Sequence, residues 1–180
     1  MRLINLPTIC HRVALKACIL AFLASFGCNY HFAGTGGQAP GDIQSVAVNV
    51  LQNQTAEIGI ETIFTNAIRN EFIRWKRLPI KADGEAEAVL GGSVARIRTQ
   101  RASHFDRNRT AETRVTVTLS LALTRADTDE VLWQNKKLSY FEEYVEAENA
   151  LNTNRLRREA FRRIAEFLAE KLHQDLFEQF

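Results

Sequence analysis

Cysteine is scarce in this sequence and is confined to its beginning. The chain of 180 residues has three cysteines, Cys10, Cys18 and Cys28, and none follows. A disulfide scaffold is therefore excluded for everything after Cys28, even in an exported protein that could form one. After the short apolar run near its start, the sequence also lacks any stretch of about 18 apolar residues, so no conventional membrane-spanning helix is predicted.

Catalytic and metal-binding patterns are missing as well. Three histidines follow Cys28, and none lies at zinc-ligand spacing from another histidine or a glutamate. The glycine-rich stretch 34–37 follows no predicted strand and opens no predicted helix, so it is not a phosphate-binding loop. His104 and Asp106 could form an acid–base pair, but a histidine and an aspartate in a loop are more often structural or solvated. The sequence therefore predicts no enzyme, no metal and no cofactor.

Acidic residues are absent before Asp42, and the N-terminal segment has the three-part layout of an export signal. A basic start is followed by a short apolar run, 17–26, and then by a small residue and Cys28. This pattern predicts a bacterial lipoprotein with a signal peptide at 1–27, in which Cys28 becomes the acylated first residue and carries chains such as palmitate. An ordinary secretory signal and a short retained anchor are the alternatives.

The charge balance changes once the predicted signal is removed. Residues 1–27 contain three basic and no acidic residues, so the 23 basic residues fall to 20 while the 21 acidic residues remain. The resulting net charge of −1 argues against a general nucleic-acid binder. The Gly- and Pro-containing segment 33–41 reads as a flexible linker, which divides the chain into a signal (1–27), a lipidated N-terminus with linker (28–41) and one domain (42–180).

Hydrophobic periodicity predicts an α+β domain. The strand at Thr113–Arg125 is the clearest, because its odd-numbered residues from Val115 to Leu123 are apolar and most of its even-numbered residues are polar, as expected for a sheet with one buried face. Two amphipathic helices and one sheet with a single solvent-exposed face predict a two-layer sandwich, with both helices on one face of a mostly antiparallel sheet of four to five strands. The predicted order is strand (Ile43–Leu51), helix (Glu57–Lys76), strand (Leu78–Ala82), strand (Ala88–Phe105, with a bulge or twist at Gly91–Gly92), strand (Thr113–Arg125), strand (Glu130–Tyr144) and helix (Thr153–Phe177).

Arginines are grouped in two places. One group surrounds the hairpin between the third and fourth predicted strands and includes Arg96, Arg98, Arg107 and Arg109, while the other opens the last helix from Arg155 onward. Arginine forks match phosphate geometry, so these groups are candidate phosphate ligands, and an exported lipoprotein meets phosphates chiefly on glycolipids. The alternative is a solvated surface whose charges are paired internally.

Several short motifs resemble those of LptE-type lipopolysaccharide-assembly lipoproteins. The start Gly-Cys-Asn-Tyr-His-Phe at 27–32 is similar to the family's Gly-Cys-Gly-Tyr-His-Phe, with Asn29 in place of glycine. Thr-Ala-Glu at 110–112, Glu-Val-Leu-Trp at 130–133, Glu-Glu-Tyr at 142–144 and Arg-Arg-Glu-Ala at 157–160 also resemble family segments in order and spacing.

The resemblance implies a role and a fold. LptE-like proteins are outer-membrane lipoproteins that face the periplasm, plug the β-barrel LptD, help it assemble and bind lipopolysaccharide; they are not enzymes. Their fold is two helices on a four-stranded sheet. Carried over to this chain, the resemblance implies that Arg107, Arg109 and Arg155 contact lipopolysaccharide phosphates. A free-standing, periplasm-facing lipoprotein that binds glycolipid or polysaccharide remains the alternative, and a hydrolase using His104 or Asp106 has no positive support.

Overall fold

The computed structural model describes residues 39–102, 112–147 and 149–178. These ranges contain two helices, α1 (Ile60–Trp75) and α2 (Ala150–Glu178). They also contain five strands, β1 (Val46–Val48), β2 (Gln52–Asn53), β3 (Ala88–Ala102), β4 (Glu112–Arg125) and β5 (Val131–Val145). A short 3₁₀ turn, Pro40–Asp42, precedes β1. No helix in the described ranges is both long and apolar enough to cross a membrane.

The five strands form one mixed sheet, in which β1, β3, β4 and β5 are neighbours in that order and β2 also pairs with β3. Strands β1 and β2 pair in parallel with successive parts of β3, while β3, β4 and β5 form an antiparallel meander. The parallel pairs follow from the chain path, because α1 connects β2 to β3 and returns the chain to run in the same direction. This architecture confirms the predicted two-layer α+β sandwich.

The core lies between the sheet and the two helices. Val115, Val117, Leu119, Leu121 and Leu123 of β4 are all at most 1 % exposed, whereas the alternate residues of this strand are partly or fully exposed. Both helices bury apolar residues at three- and four-residue spacing in this same core. The buried helical residues include Phe64, Ile68 and Phe72 of α1 and Phe161, Ile164, Leu168 and Leu172 of α2.

The backbone conformation of its flanking residues sets the limits of α1. Gly59 has φ 81°, in the left-handed region, so the helix begins only at Ile60, later than the predicted Glu57. Lys76 has φ 54° and donates its backbone N–H to the carbonyl of Phe72, which ends the helix. Trp75, expected on the apolar stripe, is 48 % exposed because it sits at this end.

Two of the predicted strands are wrong as continuous elements. The segment Ile43–Leu51 leaves the sheet after Val48, and Val50 is 60 % exposed, so pairing resumes only at the short β2. The predicted strand Leu78–Ala82 is a single parallel bridge between Val46 and Ile80. Pro79 has no backbone N–H to donate, so this segment pairs with Val46 only through the carbonyl of Pro79 and the N–H of Lys81.

Of the bulge or twist predicted at Gly91–Gly92 of β3, the bulge is wrong. The register shifts between Val94 and Arg96, not at Gly91–Gly92. Gly92 has φ 146°, and a side chain there would approach the carbonyl oxygen of Ser120 to 2.1 Å. Position 92 therefore requires glycine because β3 and β4 lie very close together there, and not because of the bulge. The remaining boundaries differ from the predicted ones by no more than three residues where both ends are described, and the predicted end of the third strand, 103–105, lies outside the described residues.

Candidate functional site

The start of α2 is fixed by side-chain caps. The backbone N–H of Asn152 donates to Oδ1 of Asn149 over 2.8 Å, which satisfies one of the unpaired donors of the first turn. The N–H of Ala147 donates to the hydroxyl of Thr153 over 3.0 Å, which ties the preceding loop to the same turn. These caps begin the helix at Ala150, three residues before the predicted start, and they orient the arginines that follow.

A groove of about 740 Å³ runs beside the first three turns of α2. Four arginines, Arg155, Arg157, Arg158 and Arg162, line it together with the amides of Asn152 and Asn154. The one acidic side chain that lines the groove is Glu57, which comes from the loop before α1. The groove is therefore strongly cationic, and the N-terminal end of the helix dipole adds to the positive potential.

The four arginines differ in their partners. Arg157 is engaged in contacts within the domain, because it forms an ion pair with Glu57 and its guanidinium lies 5.4 Å from the ring centroid of Phe161. Arg155 reaches Glu159 only at 4.0 Å, and its side chain is 68 % exposed. Within the described part of the chain, Arg158 and Arg162 have no ion-pair or hydrogen-bond partner, so three of the four arginines are available to an anion.

Exposed aliphatic side chains flank the cationic groove. Leu151 is 80 % exposed and lines the groove itself. Ile58 is 94 % exposed and lines an adjoining hollow of about 200 Å³, which also contains Arg158 and Arg162. Exposed apolar tips beside free guanidinium groups can bind a molecule that has both acyl and phosphate parts.

The predicted site residues have different outcomes. Arg155 lies in the cationic groove, as its position at the start of the last helix indicated. Cys28, Arg107 and Arg109 lie outside the described residues, as do His104 and Asp106. Leu151 and Ile58 were not predicted as site residues; only their exposure identifies them, and the sequence pattern does not report exposure.

The second feature of interest is the outer face of the sheet, which is opposite the helices. The hydroxyl residues Thr116, Thr118, Ser120 and Thr124 of β4 are partly exposed on it. Arg96 and Arg98 of β3 are exposed and pair in register with Thr118 and Thr116. The exposed Lys136 and Lys137 of β5 lie at a register shift opposite Ser120. We call the surface formed by these eight residues the open sheet face.

A buried histidine lies at the other end of the helical layer. His173 is 5 % exposed and stacks on Trp75 with a centroid distance of 5.3 Å and on Phe177 at 4.6 Å. Burial lowers the pKa of His173, and the nearby cation of Arg77 acts in the same direction, while Glu71 opposes them. The imidazole is therefore held neutral and acts as part of the packing. Across the described ranges, no three His, Cys, Asp or Glu side chains come together as a metal site.

The arrangement of two helices over a mixed sheet has counterparts among known structures. A lipoprotein from Caulobacter crescentus is 14 % identical, with 71 % of this chain and 87 % of that chain covered and a TM-score of 0.49. Rare lipoprotein B from Shewanella oneidensis is 16 % identical, with 72 % and 92 % covered and a TM-score of 0.45. A minor lipoprotein from Acinetobacter baumannii is 13 % identical, with 74 % and 90 % covered and a TM-score of 0.46.

Such distant likenesses do not define a function, and no curated protein matches the sequence. The sequence profile of the family described as "LptE: Lipopolysaccharide-assembly" does match, over residues 43–176. The matched segment takes in both helices and all five strands, from before β1 to the last turns of α2. This chain therefore belongs to the LptE family of lipopolysaccharide-assembly proteins.

Proposed function

We propose that this protein is an outer-membrane lipoprotein that plugs an LptD-like β-barrel, helps it assemble and assists delivery of lipopolysaccharide to the outer leaflet. The observation that carries the proposal is the family match across the whole folded domain, residues 43–176. The proposed domain division is a signal peptide (1–27), a lipidated N-terminus with linker (28–41) and one domain (42–180). The protein works by binding, without catalysis and without a metal or cofactor.

The anchor in this proposal is the acylated Cys28, which holds the domain on the periplasmic side of the outer membrane. Acyl chains contribute about 0.8 kcal/mol per buried methylene, and stable attachment requires more than one chain. Mass spectrometry of the processed N-terminus tests this directly. A mature chain that begins at an unmodified Cys28, or that retains residues 1–27, contradicts the anchor.

The plug role is supported by the polarity of the open sheet face. The lumen of a large outer-membrane barrel is polar and hydrated, so a plug needs a hydrogen-bonding surface. Affinity purification of the detergent-extracted protein from its own outer membrane should recover one large β-barrel in near-equal amount. Recovery of the protein without any barrel refutes the plug role.

The cationic groove supports lipopolysaccharide contact, with Arg155 as a ligand from this part of the chain and Arg107 and Arg109 as further ligands from the hairpin turn. Replacing Arg155 and Arg158 together by alanine should weaken binding of purified lipopolysaccharide by about tenfold, because two solvent-exposed charge pairs, each contributing up to about 1 kcal/mol, are lost. A matched pair, Lys136→Ala with Lys137→Ala, removes the same charge from another surface and should leave binding unchanged.

The same groove also favours a second candidate function, that of a free-standing glycolipid- or polysaccharide-binding lipoprotein. This alternative predicts lipopolysaccharide affinity in protein that is never found with a barrel, and loss of that affinity in Arg107→Ala with Arg109→Ala. Binding experiments on the isolated protein and purification of the native complex therefore separate the two functions.

A further inference from the structure

The open sheet face carries cations that the described part of the chain does not neutralise. Arg96 and Arg98 are exposed on β3, and Lys136 and Lys137 are exposed on β5. Within the described ranges, none of these four side chains has a hydrogen bond or an ion pair. They flank the central hydroxyl-bearing strand, β4, on both sides.

Within the described residues, Arg158 and Arg162 of the cationic groove share this lack of partners, but several other arginines of the domain do not. Arg125 pairs with Glu130 at 3.4 Å, Arg163 pairs with Glu142 at 3.2 Å, and Arg74 pairs with Glu71. Carboxylates thus accompany many of the arginines elsewhere. Among the described residues of the outer sheet surface, carboxylates occur only toward one end, where Glu143 pairs with Arg114 at 2.7 Å and Glu112 is the next acidic residue along β4.

The composition of the face favours a polar partner over a lipid bilayer. Peripheral membrane binding relies on apolar side chains that enter the headgroup region beside the basic ones. By register, the exposed apolar residues on this side are Val131, Phe141 and Val145, and all three lie on the edge strand β5. Between the cations stand hydroxyls instead, and hydroxyls bind to carboxylates, amides and water.

The size of the face favours an extended partner over a small ligand. Strands β3 and β4 pair over 14 residues, and at about 3.3 Å per residue the paired surface is roughly 45 Å long. The two pairs of cations are separated across β4, so a single small anion cannot neutralise both. A wall that presents several acidic side chains along its height can.

We propose that the open sheet face docks against an acidic, hydrogen-bonding stretch of the inner wall of the barrel that this protein plugs. The inference rests on the proposed plug function and adds to it the face that is used and the charge of the partner surface. Arg96, Arg98, Lys136 and Lys137 pair with carboxylates of that wall, and the hydroxyls of β4 hydrogen-bond with it directly or through water.

Photo-crosslinking in the intact native complex tests the placement. A photoreactive amino acid is introduced at Thr118, at the centre of the face, and at Glu166, on the exposed side of α2, and the crosslinked peptides are identified. The expected result is a crosslink from Thr118 to a lumen-facing barrel strand that contains Asp or Glu. Crosslinks from Thr118 to lipid, to lipopolysaccharide or to residues 1–38 of this chain, with barrel crosslinks from Glu166 only, would overturn the inference.

Charge reversal tests the chemistry. In the full-length protein, Arg96→Glu with Arg98→Glu should lower the recovered barrel by more than about tenfold at about 0.15 M salt, because two attractive contacts become repulsive. Replacing acidic residues of the crosslinked barrel peptide by lysine should restore recovery. The matched control, Lys81→Glu with Lys171→Glu, reverses two exposed lysines outside both the open sheet face and the cationic groove and should retain the barrel.

The outcomes separate this inference from the plug function itself. If the wild-type protein recovers no barrel, the plug function fails. If the wild type recovers the barrel and the Arg96/Arg98 variant recovers it equally well, the function stands and the inference fails. If the control variant loses as much of the recovered barrel as the Arg96/Arg98 variant does, the inference also fails, because binding then depends on the overall charge of the protein and not on this face. Circular dichroism of each variant verifies that the domain is folded.

Discussion

Gly92→Ala should be among the most damaging single-methyl changes in this protein. Gly92 has φ 146°, a conformation that residues with a side chain rarely adopt, and its Cα faces the neighbouring strand so closely that an added Cβ would lie 2.1 Å from the carbonyl oxygen of Ser120. Both the backbone strain and the contact with backbone atoms must be relieved by moving β3 away from β4. The central strand pair of the sheet would therefore open locally.

The two contributions set the magnitude. Holding a non-glycine residue in such a conformation costs about 1–3 kcal/mol, and forcing extra volume into packed structure costs about 1–3 kcal/mol more, so the free energy of unfolding should fall by roughly 4 kcal/mol. With an m-value of about 2 kcal/mol/M in urea, the midpoint of unfolding should fall by roughly 2 M.

Gly91 provides a matched control. An added Cβ at Gly91 meets no atom within 4 Å, and the φ of this residue is not in the positive range. Gly91→Ala should therefore change the free energy of unfolding by no more than about 1 kcal/mol, and in the stabilising direction if the unfolded-state entropy dominates. Urea unfolding followed by circular dichroism compares both variants with the wild type. Equal midpoints for Gly91→Ala and Gly92→Ala would refute the strand geometry on which the argument depends.

Three further predictions concern polar side chains that are buried or partly buried. Thr65→Val should lower the free energy of unfolding by about 1–3 kcal/mol, because the Thr65 hydroxyl accepts the backbone N–H of Leu51 over 3.0 Å and valine leaves this buried donor unsatisfied; Thr65→Ser should stay near wild type in the same urea assay. The domain should lose stability as the pH falls below about 6.5, because folding lowers the pKa of His173 and the unfolded chain therefore binds a proton that the folded chain does not. Thermal unfolding at several pH values should show that His173→Phe loses less stability at acidic pH than the wild type does. Glu57→Gln should cost about 1 kcal/mol, because it breaks the partly exposed ion pair with Arg157 that ties the loop before α1 to α2, and the cost should shrink at high salt.

Much of the fold could be predicted from the sequence wherever one periodicity runs without interruption. The alternation in β4 predicted both its limits, to within one residue, and which of its faces is buried. The apolar stripe predicted for α2 contains five of its buried residues but misses Phe161, and its member Phe167 is 41 % exposed and stacks on Tyr140 at 3.7 Å. The stripe consists of Leu156, Ala160, Ile164, Phe167, Leu168, Leu172 and Leu176. Periodicity assigns a residue to a side of a helix, and the neighbouring strand decides how far that residue is covered.

The errors arose where a backbone requirement interrupts the pattern. The apolar alternation of 43–51 predicts one strand, yet Asn49 donates its backbone N–H to the carbonyl of Leu90 while Val50 turns outward, and the ladder breaks there. The start of α2 at Ala150, three residues before the predicted Thr153, depends on a hydrogen bond from the backbone N–H of Asn152 to the side chain of Asn149. Such local contacts compete with hydrophobic periodicity, and the periodic pattern alone cannot rank them.

The candidate site was predictable in charge but not in shape. The run of arginines that begins at Arg155 indicates an anion-binding surface, and the groove contains these residues. The sequence alone could not show that Arg157 forms an ion pair with Glu57, whereas Arg158 has no such partner within the described chain. That distinction requires the loop before α1 to fold back against α2, a contact between residues 100 positions apart.

The hydroxyls of β4 restrict what can cover the open sheet face when the protein is in its complex. Thr116, Thr118, Ser120 and Thr124 are partly exposed, and covering them with an apolar surface would cost about 1–3 kcal/mol for each hydroxyl that loses its partners. Covering them with a wall that supplies acceptors, donors and trapped water avoids this cost, because hydrogen bonds to water are replaced by equivalent ones. The unneutralised cations on either side add the requirement that the acceptors include carboxylates. A hydrated, acidic wall meets both conditions, whereas a bilayer core meets neither.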